Sequence, residues 1–331
     1  MPIRLPSNRP AERFYRGGAR ITALRGGPSA AEREPEDWVA STTTVAGEAE
    51  VGLTRLPGDA GGEGDGRLLR DAIAADPVAW LGAAHVARWG ADARLLVKLL
   101  DAGQRLPVHA HPHDDFAATH LGLAHGKAEA WYILEGGTVH VALREDVDAA
   151  HLRALVDAQD TTALLALLHE VEVSPGDVVW VPPGELHAIG AGVLLLELQQ
   201  PEDLSILLEW DGFALDGVAA GHLGLGFDLA LQAVTLRGRS AAEVAELVRA
   251  APASGSVFPP DADEYFRLER HAIDGEAVLD PGFAIALVTT GALELGGDAA
   301  PVGSTTLIAA ADGPVPVRGA GELLVARPPA P

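Results

Sequence analysis

GQRLPVHAH at residues 103–111 and GDVVWVPPGELH at residues 176–187 decide the fold. In the first stretch Gly103 leads to His109 and His111, and further on Glu129 is followed by Gly136. In the second, Gly176, Pro182 and Gly184 lead to His187. Side chains alternate faces along a strand, so His109 and His111 point the same way. A closed barrel turns that face inward. Glu129 opens a neighbouring strand, and the Pro-Pro-Gly turn brings the His187 strand back to the same end. Three imidazoles and one carboxylate can then surround a single divalent cation, with positions left open for water or substrate. A lone HxH is usually an ordinary polar face. The glycines, the proline and the four ligand residues at these intervals together predict a metal site at His109, His111, Glu129 and His187.

Outward from these motifs the chain reads as short strands. LLVKLL (95–100), AEAWYIL (128–134), TVHVALR (138–144) and VLLLELQQ (193–200) are β-prone runs separated by Gly or Pro. Within them, 147–169 has helical spacing, with Leu152, Leu155, Val156 and then Leu164, Leu165, Leu168 on one face. Upstream, 1–65 reads as irregular strands and turns, 58–66 (GDAGGEGDG) as a mobile loop, and 66–90 as two short helical patterns. Downstream, 214–250 reads as helical, with a capping box from Ser240 to Glu243 and a buried stripe of Val244, Leu247 and Val248. APASGSVFPP (251–260) reads as a linker, and 261–331 returns to strands without metal spacing. The prediction is a mainly β chain of two β-barrel or jelly-roll units with helical inserts. Its parts are a metal-binding unit over 1–213, a helical segment and linker over 214–255, and a degenerate β unit over 256–331.

Composition narrows the function. A chain of 331 residues suits more than one packed unit. A net charge of -23 repels nucleic-acid phosphates and anionic lipid, so neither is expected as a partner. With no cysteine, disulfides and thiolate sites are excluded, and a metal must sit on His, Asp or Glu. The first residues are polar and basic rather than signal-like, and no apolar run approaches a membrane span; the expected location is the cytoplasm. Lys98 and Lys127, the chain's two lysines, both lie close to the metal motif. Unlike Arg, Lys can lose its proton in a protein. A monomer or a homodimer is expected.

The paired motifs resemble those of the cupin superfamily. EDWVAST (36–42), LLVKLLDAGQRLPVHAHPHDDFA (95–117), GKAEAWYIL (126–134) and VSPGDVVWVPPGELHAIGAGVLLLELQQPED (173–203) further resemble type I mannose-6-phosphate isomerase, in its short bacterial form. The resemblance implies a double-cupin fold and a zinc-dependent aldose–ketose isomerase working through an enediol, one ion per chain, with a sugar or sugar phosphate as the small-molecule partner. It implies Lys127, Glu197 and Asp203 as acid–base candidates, with Gln199 on the same strand face as Glu197. There are two departures. The first ligand is usually Gln where this chain has His109; the resulting His3Glu set also suits Fe2+ or Mn2+. An Arg associated with the substrate phosphate is matched by Leu207, so Lys98, Arg105 or Lys127 would have to hold a phosphate. The alternatives left open are an isomerase of an unphosphorylated sugar, a metal cupin oxygenase, and a non-catalytic sugar-binding cupin.

Overall fold

The computed structural model describes residues 1–58 and 66–331. The loop expected over 58–66 lies almost wholly outside the described residues.

Two antiparallel sheets face each other. The larger has six strands in the order Val248–Ala250, Asp177–Val181, Glu129–Glu135, Leu194–Gln199, Leu96–Asp101, Glu36–Val39. The smaller has five, in the order Ile206–Leu207, His109–Ala110, His187–Ile189, Gly137–Leu143, Leu168–Val173. The alternation that suggested strands sorts residues between faces. Leu100, Trp131, Ile133, Val179, Val181 and Leu195 of the larger sheet meet Val139, Val173 and Ile189 of the smaller in the core between them. Fully burying each such side chain contributes roughly 1.5–3 kcal/mol.

The intervening residues face outward and are also buried. Val97, Leu99, Tyr132, Trp180, Leu196 and Leu198 pack against helix Leu69–Ala75 and against Phe266, Leu268, Ile285 and Leu324 of the C-terminal unit. Coverage on both faces explains why LLLELQ, residues 194–199, reads as almost continuously apolar although it is a strand. The smaller sheet sends Val108, Ala110, Leu143, Leu186 and Ile206 outward onto Leu152, Val156 and Leu164 of helices Ala149–Ala158 and Thr161–Ala166. Polar residues at inward positions, Lys98, Glu129 and Glu197 among them, are left in the space between the sheets.

The C-terminal unit is a seven-stranded antiparallel sheet built on long strands, Arg267–Leu279, Ala284–Leu295 and Val315–Arg327. It encloses a separate core that includes Ile273, Leu293, Val317 and Leu323. The chain is thus mainly β with helical inserts, a double-cupin architecture.

Local boundaries differ from expectation where one residue pattern serves two structures. Leu168, at helical spacing from Leu164, opens the strand Leu168–Val173 instead. Val248 leaves the expected helical stripe to begin a strand paired with Asp177–Val181, and Val244 and Leu247 alone are the buried residues of helix Ala241–Leu247. The Ser240–Glu243 capping box forms as expected. Two expected boundaries are crossed by pairing. Ile3–Leu5 joins Thr305–Ile308 of the C-terminal sheet, and Gly255–Ser256, in the expected linker, pairs with Arg267–Leu279. Ala19–Arg25 is helical within the stretch read as strands and turns.

Candidate metal centre and cavity

His109 and His187 are directly paired residues on adjacent strands of the smaller sheet, with ring centroids 4.0 Å apart. His111 lies 5.0 Å from each of them by the same measure. Glu129 reaches in from the larger sheet, its Oε2 3.1 Å from His111 Nε2 and its Oε1 3.1 Å from His187 Nε2. One donor atom from each of the four residues lies within 4.8 Å of the others. All four side chains are buried.

The backbone sets the orientation of each ring. His109 Nδ1 faces the Pro107 carbonyl at 2.8 Å, His111 Nδ1 the Leu204 carbonyl at 2.9 Å, and His187 Nδ1 the Glu185 carbonyl at 2.9 Å. A carbonyl only accepts, so each Nδ1 carries the hydrogen and each Nε2 turns its lone pair toward the centre, where that of His111 faces Lys127 Nζ at 3.1 Å. The turn before His187 is fixed too. Gly184 has φ +88°, and its N–H donates to the His111 carbonyl at 2.6 Å. A Cβ there would lie 2.6 Å from Thr235 Oγ1.

The donor set fits a divalent metal ion. Burial, with the neighbouring His187 and His111, pushes His109 well below the usual imidazole range, and burial with Lys127 takes His111 down to about 3. Both are therefore neutral ligands at physiological pH. Burial alone would raise the Glu129 carboxyl, but Lys127 and the histidines outweigh it and keep it ionised. His187 Nε2 is buried without a hydrogen-bond partner. Such orphaned atoms are costly unless something else satisfies them.

A cavity of about 270 Å³ opens beside this cluster. Lys127 enters it from a loop held by its own N–H on the Pro112 carbonyl and by Gly126 N–H on Asp114. Gly126 is required there, because a Cβ would lie 2.1 Å from the Pro112 oxygen. Lys127 Nζ is 2.8 Å from Glu129 Oε2 and 3.9 Å from Glu197 Oε1. Burial opposes the Lys127 charge, but Glu129 and Glu197 outweigh it and raise its pKa. Lys98 Nζ stands 3.7 Å from both Glu197 and Glu36, over the face of Trp38. Glu197 Oε1 is buried and unpartnered. Burial and the charge of Glu129 raise the Glu197 pKa despite the two lysines.

Asp203 also lines the cavity, gripped by both terminal nitrogens of Arg13 at 3.2 and 3.1 Å. Burial works to raise its carboxyl, but Arg13 and Lys98 hold it well below the usual range. Arg13 Nε is 3.4 Å from Glu36, whose carboxylate also accepts from Tyr15 Oη and from Trp38 Nε1. These N-terminal residues escaped the sequence reading, although Glu36 and Trp38 fall in the EDWVAST segment.

Two expected site residues lie elsewhere. Arg105 does not line the cavity: its guanidinium bonds Glu209, at 2.8 Å through one nitrogen, and Glu209 also accepts from Val108 N–H and Thr161. Gln199 is buried outside the cavity lining, and its amide donates to the carbonyls of Gln200 and Glu202, shaping the turn before Asp203. Leu207 pairs with His109 and is part of the cavity wall. The loop residues His113, His120 and His125 are not in the lining, and His125 bonds Asp92 at 2.6 Å.

Facing antiparallel sheets around three histidines and a glutamate define the class: a two-unit cupin chain with a buried donor set able to hold a metal. Within that class the likeness to mannose-6-phosphate isomerases is borne out. Mannose-6-phosphate isomerase ManA of Bacillus subtilis (strain 168) is 37% identical over 120 residues, which is 34% of this chain and 36% of that protein. Mannose-6-phosphate isomerase of Streptococcus mutans serotype c is 38% identical over 111 residues, 33% of this chain and 34% of that protein. The chain thus matches about a third of the length of these curated relatives. No family model matches it. Among solved structures, mannose 6-phosphate isomerase from Bacillus subtilis aligns with TM-score 0.71 at 22% identity, covering 98% of this chain and 99% of that one. A variant of phosphomannose isomerase from Salmonella typhimurium aligns with TM-score 0.74 at 17% identity, covering 99% and 100%. These structures show that the fold is shared over the whole length.

Proposed function

We propose that the chain is a metal-dependent aldose–ketose isomerase acting on mannose 6-phosphate or a related sugar, a reading supported by the name mannose-6-phosphate isomerase of its relatives. The observation that carries this is Glu197. It is a buried carboxylate in the cavity beside the donor set, with one oxygen that has no hydrogen-bond partner and faces Lys98 at 3.7 Å and Lys127 at 3.9 Å, and burial and Glu129 raise its pKa above the usual carboxylate value. His109, His111, Glu129 and His187 would hold the ion, with zinc the first candidate and iron or manganese compatible with the donor set. When bound, the ion supplies polarisation of the sugar carbonyl or hydroxyl and stabilises developing negative charge.

Glu197 takes the proton from C2 of the aldose and returns it to C1, by way of an enediol. Lys127, protonated and close to both Glu129 and Glu197, gives a proton to O1 as the enediol forms and takes one back from the 2-hydroxyl as C2 becomes the carbonyl, so that it ends protonated. Asp203 is locked by Arg13 and stays ionised, so it serves as a hydroxyl acceptor rather than as the base. No helix among the described residues is long and apolar enough to cross a membrane.

The test is to load the protein with zinc and follow ketose formation from mannose and from mannose 6-phosphate, with and without chelator. Chelator-sensitive turnover of either sugar supports the assignment. Turnover of neither, with oxygen consumed in the iron-loaded protein, replaces it with an oxygenase.

A further inference from the structure

We infer that the substrate is a neutral sugar rather than a sugar phosphate. This rests on the isomerase assignment above and specifies the substrate class of that site. A phosphate dianion is held by fixed cations, commonly Arg in bidentate geometry, whose charge is not already spent on a protein carboxylate. Among the described residues the cations lining the cavity are Arg13, Lys98 and Lys127. Each already faces a carboxylate: Arg13 grips Asp203, Lys98 stands between Glu36 and Glu197, and Lys127 lies 2.8 Å from Glu129. Residues 59–65, DAGGEGD, contain no Lys or Arg, so that segment holds no cation in reserve.

The rest of the wall is apolar. Leu204, Leu207, Leu215 and Leu223 line the cavity, with Leu207 backbone-paired to His109 and so on the strand next to the metal ligands. A leucine there offers no charge to a phosphate but packs well against the C–H face of a sugar. Glu197 Oε1, buried in the lining without a hydrogen-bond partner, is an acceptor for a sugar hydroxyl. A net charge of -23 over the chain adds to the cost of bringing a dianion in.

The experiment uses the zinc-loaded full chain. Turnover is measured on mannose and on mannose 6-phosphate, and binding is measured by calorimetry with mannitol and with mannitol 1-phosphate, which lack the reactive carbonyl. The expected result is a kcat/KM at least about tenfold higher for mannose, with mannitol bound more tightly than its phosphate; a charge-assisted hydrogen bond missing from the cavity corresponds to about that factor or more. Leu207→Arg, which adds a cation to the wall, is expected to move the preference at least about tenfold toward the phosphate ester. Preferred turnover of mannose 6-phosphate by the unaltered chain overturns the inference and leaves the isomerase assignment standing. Turnover of neither sugar sinks the isomerase assignment, and the binding data then decide the neutral-ligand inference alone: mannitol bound over its phosphate supports it, while the reverse preference or no binding of either overturns it. The binding comparison on the unaltered chain holds even where Leu207→Arg fails to fold.

Discussion

Glu36 offers the most direct test of the charge arrangement in the cavity. Its carboxyl is buried; burial alone would raise its pKa, but Arg13 and Lys98 outweigh that and bring it from 4.5 down to about 2. A folded pKa below the unfolded one means that the ionised carboxylate stabilises the fold. A difference of about 2.5 units, at 1.36 kcal/mol each, amounts to about 3 kcal/mol. That stabilisation is fully present above the unfolded pKa of 4.5 and is lost as pH falls through about 2. Glu36→Gln keeps the shape and removes the charge, so it is expected to cost about 3 kcal/mol at pH 7 and roughly half of that near pH 3. Urea unfolding of both proteins across that range, with chelator present throughout so that loss of an ion affects neither, reads the difference. A gap between them that stays constant from pH 7 to pH 3 would mean that lost hydrogen bonds to Tyr15 and Trp38, not charge, set the cost, and would refute the reasoning.

Other outcomes follow from the same geometry. Glu197→Gln should lower kcat by about 10²–10⁴ while leaving metal content unchanged, since the side chain acts as a base and is not a ligand; elemental analysis beside the rate assay separates the two. His187→Ala should abolish stoichiometric zinc binding, measured by equilibrium dialysis, because it removes one of four donors. Gly184→Ala should destabilise the fold and weaken zinc binding together, because its φ of +88° and the 2.6 Å approach to Thr235 both oppose a side chain. Loss of stability without loss of affinity in that variant would show that the turn does not position His187.

The metal donors were legible in the sequence because strand alternation is local: His109 and His111 must share a face wherever the strand lies. Glu197 was implied by the resemblance of its motif rather than by spacing alone, and it lies in the cavity lining. Arg13, Tyr15 and Glu36 were not, because their place depends on Glu36–Val39 pairing with Leu96–Asp101 far along the chain. Arg105 and Gln199 lie outside the cavity lining because spacing gives a side chain's face but not its partner; Glu209 bonds the first and backbone carbonyls the second. Leu168 shows the limit of periodicity. Its spacing from Leu164 suits a helix, yet pairing with Gly137–Leu143 makes it a strand residue.

The pairing of Ile3 with Leu307 has a consequence for folding speed. Contacts between residues so far apart along the chain close a very long loop before they gain anything, so they are expected to form slowly. The two facing sheets do not need this pairing in order to assemble. The edge strand Ile3–Leu5 is therefore expected to dock late in refolding and to exchange its amide hydrogens before the strands of the two facing sheets do.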